Sequence, residues 1–233
     1  NSLGGIELNL LVAGLLVAGT YLLLWKLMLD TGLDIRWASL LLILIQVPSS
    51  INWAVRPQIF TYPLFVSILY VLWHWDKGTK KYLWLLPLLT LLWANLHGSF
   101  ILAFVLTGSA FVFGKGDKKK LFYALFFMAV AVFINPRGFG AWTFVLFSMK
   151  NPSIQMFATE WLPPINQGLQ TNALFGWYLL FMLLVGWSAR KLSLMAWVWV
   201  LGFGWMALSV SRYDIWFLFI VAPLSAYLLS GIV

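Results

Sequence analysis

Gly5–Leu29 runs for twenty-five residues with one acidic and one basic side chain, and Ile215–Val233 runs for nineteen with none. A hydrocarbon core about 30 Å thick takes roughly 20 helical residues to cross. Inside lipid every backbone group must find its partner within the protein, which leaves helices or closed barrels. These runs are continuous rather than alternating, so helices are expected. Composition agrees: 62% of the 233 residues are hydrophobic and 9% charged, too few to give a soluble domain its polar shell. The expected fold is all-α, a polytopic membrane helical bundle forming a single transmembrane domain over 1–233. There is no cysteine, so no disulfide or thiolate site enters the argument. The chain opens at Asn1 without a methionine or a basic leader and reads as the C-terminal part of a longer chain.

Apolar segments fall at 5–29, 36–54, 59–75, 82–95, 98–114, 121–135, 173–188, 193–210 and 215–232, about nine membrane segments. Phe139–Met149 is too short to span and too aromatic for a free loop, so 139–172 is expected to form an extracytoplasmic interfacial helix and loop. The connections 76–81 (DKGTKK), 115–120 (KGDKKK) and 189–191 (ARK) are short and basic. Placing them on one side with 30–36 gives that side eleven cations, against Arg56, Arg137, Lys150 and Arg212 on the other. Cationic loops stay cytoplasmic, which orients the chain with its basic connections inside. The net charge of +8 thus faces anionic headgroups rather than nucleic acid.

That assignment forces a hairpin on 82–114, because both flanking loops are basic. Limbs of 14 and 17 residues are only about 21 and 26 Å long at 1.5 Å per residue. The turn at Asn95–Gly98 should therefore lie below the outer surface, with Gly98 allowing the reversal. Non-helical backbone at that depth is tolerated only in protein or along a watered cavity.

Five outward ends carry compact polar groups: Arg56–Gln58, Asn95–His97, Asn135–Gly138, Thr159–Trp161 and Ser211–Asp214. Guanidinium forks match phosphate oxygens. Arg56, His97, Arg137 and Arg212 are the candidate binders of a lipid-carrier phosphate. Gln58 and Asn95 are candidates to orient it or an attached sugar, and Glu160 with Trp161 to line the sugar or acceptor side. Plainer roles stand beside these: arginines snorkel, His97 and Asn95 can bond between helices, and Glu160 can cap a loop helix. No acidic spacing suits a metal, and no cofactor is evident.

The order and spacing of RPQIFTY, LLWANLHGSF, INPRG, ATEWLPP and SRYDIWFLFIVAPLSAYLL resemble a largely uncharacterised family of bacterial polytopic membrane proteins related to the GT-C superfamily glycosyltransferases. The resemblance implies a GT-C-like fold and a polyprenyl-phosphate-linked sugar as donor, used on the extracytoplasmic side. It also implies a catalytic base on a loop upstream of Asn1. Two other classes stay open: a non-catalytic membrane subunit of a larger complex with a structural lipid site, and a transporter or flippase for an anionic lipid.

Overall fold

The computed structural model describes residues 5–149 and 159–233, and among them every regular element is helical. In chain order the helices are α1 (Gly5–Leu29), α2 (Ile35–Ser49), α3 (Tyr62–Asp76), α4 (Leu85–Leu96), α5 (Ile101–Phe113), α6 (Lys118–Val132), α7 (Gly140–Met149), α8 (Leu169–Trp187), α9 (Leu194–Ser209) and α10 (Asp214–Leu229). They divide into two compact bundles. The first takes Asn1–Val55 and Ala158–Val233, the second Arg56–Phe157. Of the expected 139–172 segment, α7 is described and 150–158 lie outside the described residues.

Among the described residues four stretches are long and apolar enough to cross a membrane: Gly5–Leu29, Ile35–Asn52, Leu169–Trp187 and Ser211–Leu229. The sequence led us to expect about nine. Two of the remaining apolar runs are shortened by their own end signals. Run 98–114 spends its first residues on a 3₁₀ turn, Gly98–Phe100, and leaves α5 with 13 residues. Run 193–210 begins with Ser193, whose hydroxyl accepts from Ala196 N and caps the 16-residue α9. Large side chains such as Leu15, Leu22, Phe126 and Leu179 stay exposed, as lipid-facing surface requires.

In the first bundle α10 is the core. It packs against α1, α2, α8 and α9, and only Tyr227 and Leu229 of its residues escape burial. A helix apolar on every face has no stripe to turn toward a core, so it becomes one. Pro48 inside α2 shows how the bundle keeps backbone groups satisfied. Proline has no N–H, so the carbonyl of Leu44, four residues back, loses its helical partner. The indole Nε1 of Trp177 on α8 donates to Leu44 O instead, at 3.4 Å. Nearby, Ser49 Oγ donates back to Ile45 O and meets Tyr21 Oη, which in turn accepts from Trp53 Nε1.

In the second bundle α3 lies between α4 and α5, with Phe65, Val66, Ile68, Leu72 and Trp75 wholly buried. Its C-terminal end fixes the hairpin. Asp76 Oδ1 accepts from Lys115 N, Lys80 Nζ pairs with Asp117 Oδ2 at 3.0 Å, and Trp75 Nε1 donates to Asp117 O. The loops entering α4 and leaving α5 are therefore at one end of the bundle, and the chain between them reverses. Gly114 and Gly116 make that junction possible, because a Cβ at either would collide with Trp75. Asp117 also caps α6 by accepting from Lys120 N. This bond, with Lys80 behind it, holds its carboxyl below the usual aspartate range.

The α2–α8 repair is testable by a double-mutant cycle on thermal unfolding of the purified protein. Trp177→Phe should cost about 1 kcal/mol in the wild-type background, and less alongside Pro48→Ala, which returns an N–H to Leu44 O. Equal losses in both backgrounds would sink the assignment.

Candidate functional site

The turn of the hairpin is made by His97, in extended conformation (φ −160°, ψ 142°), followed by the 3₁₀ turn at Gly98–Phe100. The reversal expected of Gly98 thus falls to its neighbour, and Gly98 is not among the glycines at positive φ. A Cβ there would lie 3.5 Å from the ring of Phe144, an ordinary contact.

His97 is held by three groups whose chemistry fixes its hydrogens. Trp93 Nε1, on a wholly buried ring, donates to Ser99 Oγ at 3.0 Å. An indole nitrogen only donates, so Ser99 Oγ accepts there, and it lies 2.8 Å from His97 Nδ1. Ser99 N donates to Nδ1, at 3.0 Å. A backbone N–H can only donate, so Nδ1 is the acceptor and the neutral ring holds its hydrogen on Nε2.

Beside this turn the C-terminal ends of α4 and α6 are joined by two asparagines. Asn95 Nδ2 donates to Leu91 O and Ile134 O, and Asn135 Nδ2 donates to Ala94 O at 2.8 Å. Asn135 Oδ1 then accepts from Arg137 N at 2.8 Å, a local turn that aims the next residues. Gly138, at φ +50°, completes it with a bond from its N–H to Asn135 O. Arg137 emerges with its guanidinium 5.0 Å from the centre of the Phe144 ring on α7.

These residues wall a cleft of about 340 Å³ lined by Asn95, His97, Asn135, Arg137, Phe100 and Phe144 among others. Arg137 is exposed, and its guanidinium meets no carboxylate among the described residues. The chemistry of the two asparagines is more restricted than their presence suggests. Both amide hydrogens of Asn95 are committed to carbonyls, leaving Oδ1, an acceptor. It suits a hydroxyl and would repel a phosphate oxygen.

The other candidates sit elsewhere. Among the described residues Arg56 and Gln58 are not in the cleft wall. Arg56 is exposed and extended before Pro57, while Gln58 is buried in the following 3₁₀ turn, Pro57–Thr61, against α3 and α4. Arg212, Glu160 and Trp161 belong to the first bundle. Arg212 Nη1 meets Glu160 Oε1 at 2.6 Å, and its guanidinium stands 5.6 Å over the Trp161 ring. Ser211 N and Oγ both donate to Leu162 O at 3.0 Å. This clasp ties the loop at 159–162 to the start of α10. Behind it Asp214 is buried, and its Oδ1 has no hydrogen-bond partner among the described residues.

Sequence reading passed over Ser99, Trp93 and Phe144. A serine two residues after a histidine at a helix break was a usable signal; nothing in the sequence marked Phe144. No three His, Asp or Glu side chains among the described residues are grouped to hold a metal ion. In comparisons with known proteins the chain matches no family model, no curated protein and no solved structure.

The tautomer is open to ¹⁵N–¹H correlation spectroscopy of the imidazoles, with His74→Gln assigning the second ring. His97 should appear as the Nε2–H form, and Ser99→Ala should keep it, because the backbone N–H at position 99 still donates to Nδ1. An Nδ1–H signal in the wild type would refute the network.

Proposed function

We propose that the protein is a GT-C-like membrane glycosyltransferase module that binds a polyprenyl-phosphate-linked sugar in the cleft between the hairpin turn and Arg137. The observation that carries this reading is the arginine itself, turned out by the Asn135 bond, beside a histidine donor and an asparagine acceptor in one cavity. Arg137 would neutralise the carrier phosphate, which is also the leaving group of a transfer. His97 would add a hydrogen bond from Nε2, and Asn95 Oδ1 would accept from a sugar hydroxyl. The apolar wall at Phe100 and Phe144 suits the first isoprene units.

On this reading the cleft faces the extracytoplasmic side of a bacterial inner membrane and the lysine-rich loops face the cytoplasm. The shorter apolar helices then complete a bundle of about nine membrane segments. Arg56, in the same bundle as the cleft, serves the carrier at another point. The motif resemblance in RPQIFTY, INPRG and SRYD supports the donor class.

Arg137→Ala should weaken binding of a polyprenyl-phosphate sugar to the purified protein about ten- to a hundredfold, the loss of a charge-assisted hydrogen bond. Arg137→Lys should recover part of it. Unchanged affinity with a normally folded variant would remove the cleft from consideration.

A further inference from the structure

The end of the second bundle that carries the loops at 76–81 and 115–120 holds seven lysines and two aspartates. Both aspartates are committed to holding the loops together. Asp76 accepts from Lys115 N, and Asp117 accepts from Lys120 N while pairing with Lys80. Three of the lysines are committed as well. Lys80 is on Asp117, Lys77 lies 4.3 Å over Trp73, and Lys118 Nζ donates to Ala110 O and Phe111 O, capping the last turn of α5. Lys81, 4.7 Å over the Tyr82 ring, and Lys115, Lys119 and Lys120 meet no carboxylate among the described residues.

Two of these cations head stripes along α6. Lys119, Phe122, Phe126 and Val130 follow at helical spacing, as do Lys120, Tyr123 and Phe127. Phe122, Phe126, Phe127, Tyr123 and Val130 are all about half exposed. Trp84, 67% exposed, stands at the start of α4, just past Lys81. The first stripe thus runs from ammonium through aromatic rings to aliphatic surface over about three helical turns, and the second from ammonium to aromatic rings over about two, the order of layers a phospholipid presents from headgroup to chain. A soluble acidic partner would meet the cations alone and leave the rings uncovered.

We propose that this end of the second bundle is a binding site for an anionic phospholipid. Its phosphate lies among Lys81, Lys115, Lys119 and Lys120, and its acyl chains run along the exposed flank of α6. The site is distinct from the Arg137 cleft and requires only that the protein sits in a membrane.

The test is native mass spectrometry of the purified chain, stripped of lipid and offered equimolar phosphatidylglycerol and phosphatidylcholine of the same chain length. Wild type should retain phosphatidylglycerol in preference, and K81Q/K115Q/K119Q/K120Q should lower that retention at least about tenfold with phosphatidylcholine unchanged. The matching arginine variant should keep the preference, as should Arg137→Ala, so loss of the cleft reading leaves this one standing. Should the fourfold variant fail to fold, K119Q/K120Q carries the same comparison at smaller effect. Equal retention of the two lipids by wild type, or a glutamine variant that keeps the preference, would overturn the proposal. Wild-type capture of an acidic peptide with no lipid preference would do so in favour of a protein partner.

Discussion

The need to satisfy backbone polar groups without water governs the smallest details of this chain. In an apolar bundle, each freed carbonyl or N–H must meet a partner carried by the protein itself. Pro48 removes one donor and Trp177 supplies another from a neighbouring helix. The ends of α4 and α6 expose carbonyls at Ala94 and Ile134, and two asparagine amides take them. The last carbonyls of α5 receive Lys118. In a soluble protein water would serve at many of these places, and the polar residues would be released for other work.

That constraint changes how polar residues in a membrane sequence should be read. Asn95 and Asn135 stand out in their apolar surroundings, and binding is the natural inference. Much of their hydrogen-bonding capacity closes the bundle instead. What they leave over defines the chemistry of the cleft: one acceptor at Asn95 and an arginine aimed by Asn135 Oδ1. Lys118 makes the same point at the other end, where one member of a basic run is a helix cap and its neighbours Lys119 and Lys120 meet no carboxylate among the described residues. Building the structure and forming a site draw on the same side chains, atom by atom.

The hairpin was legible because its evidence is local and additive. Basic loops on both sides of one apolar run allow only a reversal, and the break signals at Asn95–Gly98 mark where it falls. The all-helical class was legible for the same reason, since continuous apolar runs have few alternatives. The number of long helices was not. Whether an apolar stretch stays helical throughout depends on where serines, prolines and 3₁₀ turns intercept it, and run 98–114 loses its first turn that way. The engagement of Arg212 by Glu160 was equally hidden, because the two lie 52 positions apart and nothing in either neighbourhood names the other.

By itself the sequence determined that the chain is helical, where its cationic loops lie and where it turns back. Those properties follow from transfer energies and backbone preferences that each segment carries alone. Only the tertiary structure decided which polar atoms remain for chemistry. It committed Asn95 Nδ2 and Lys118 Nζ to carbonyls and fixed the His97 hydrogen on Nε2 through the backbone N–H of Ser99. It gave Arg212 a carboxylate and left Arg137 beside a phenylalanine ring. A hydrogen bond depends on ångström distances between residues far apart in the chain, and those distances exist only after the helices have packed.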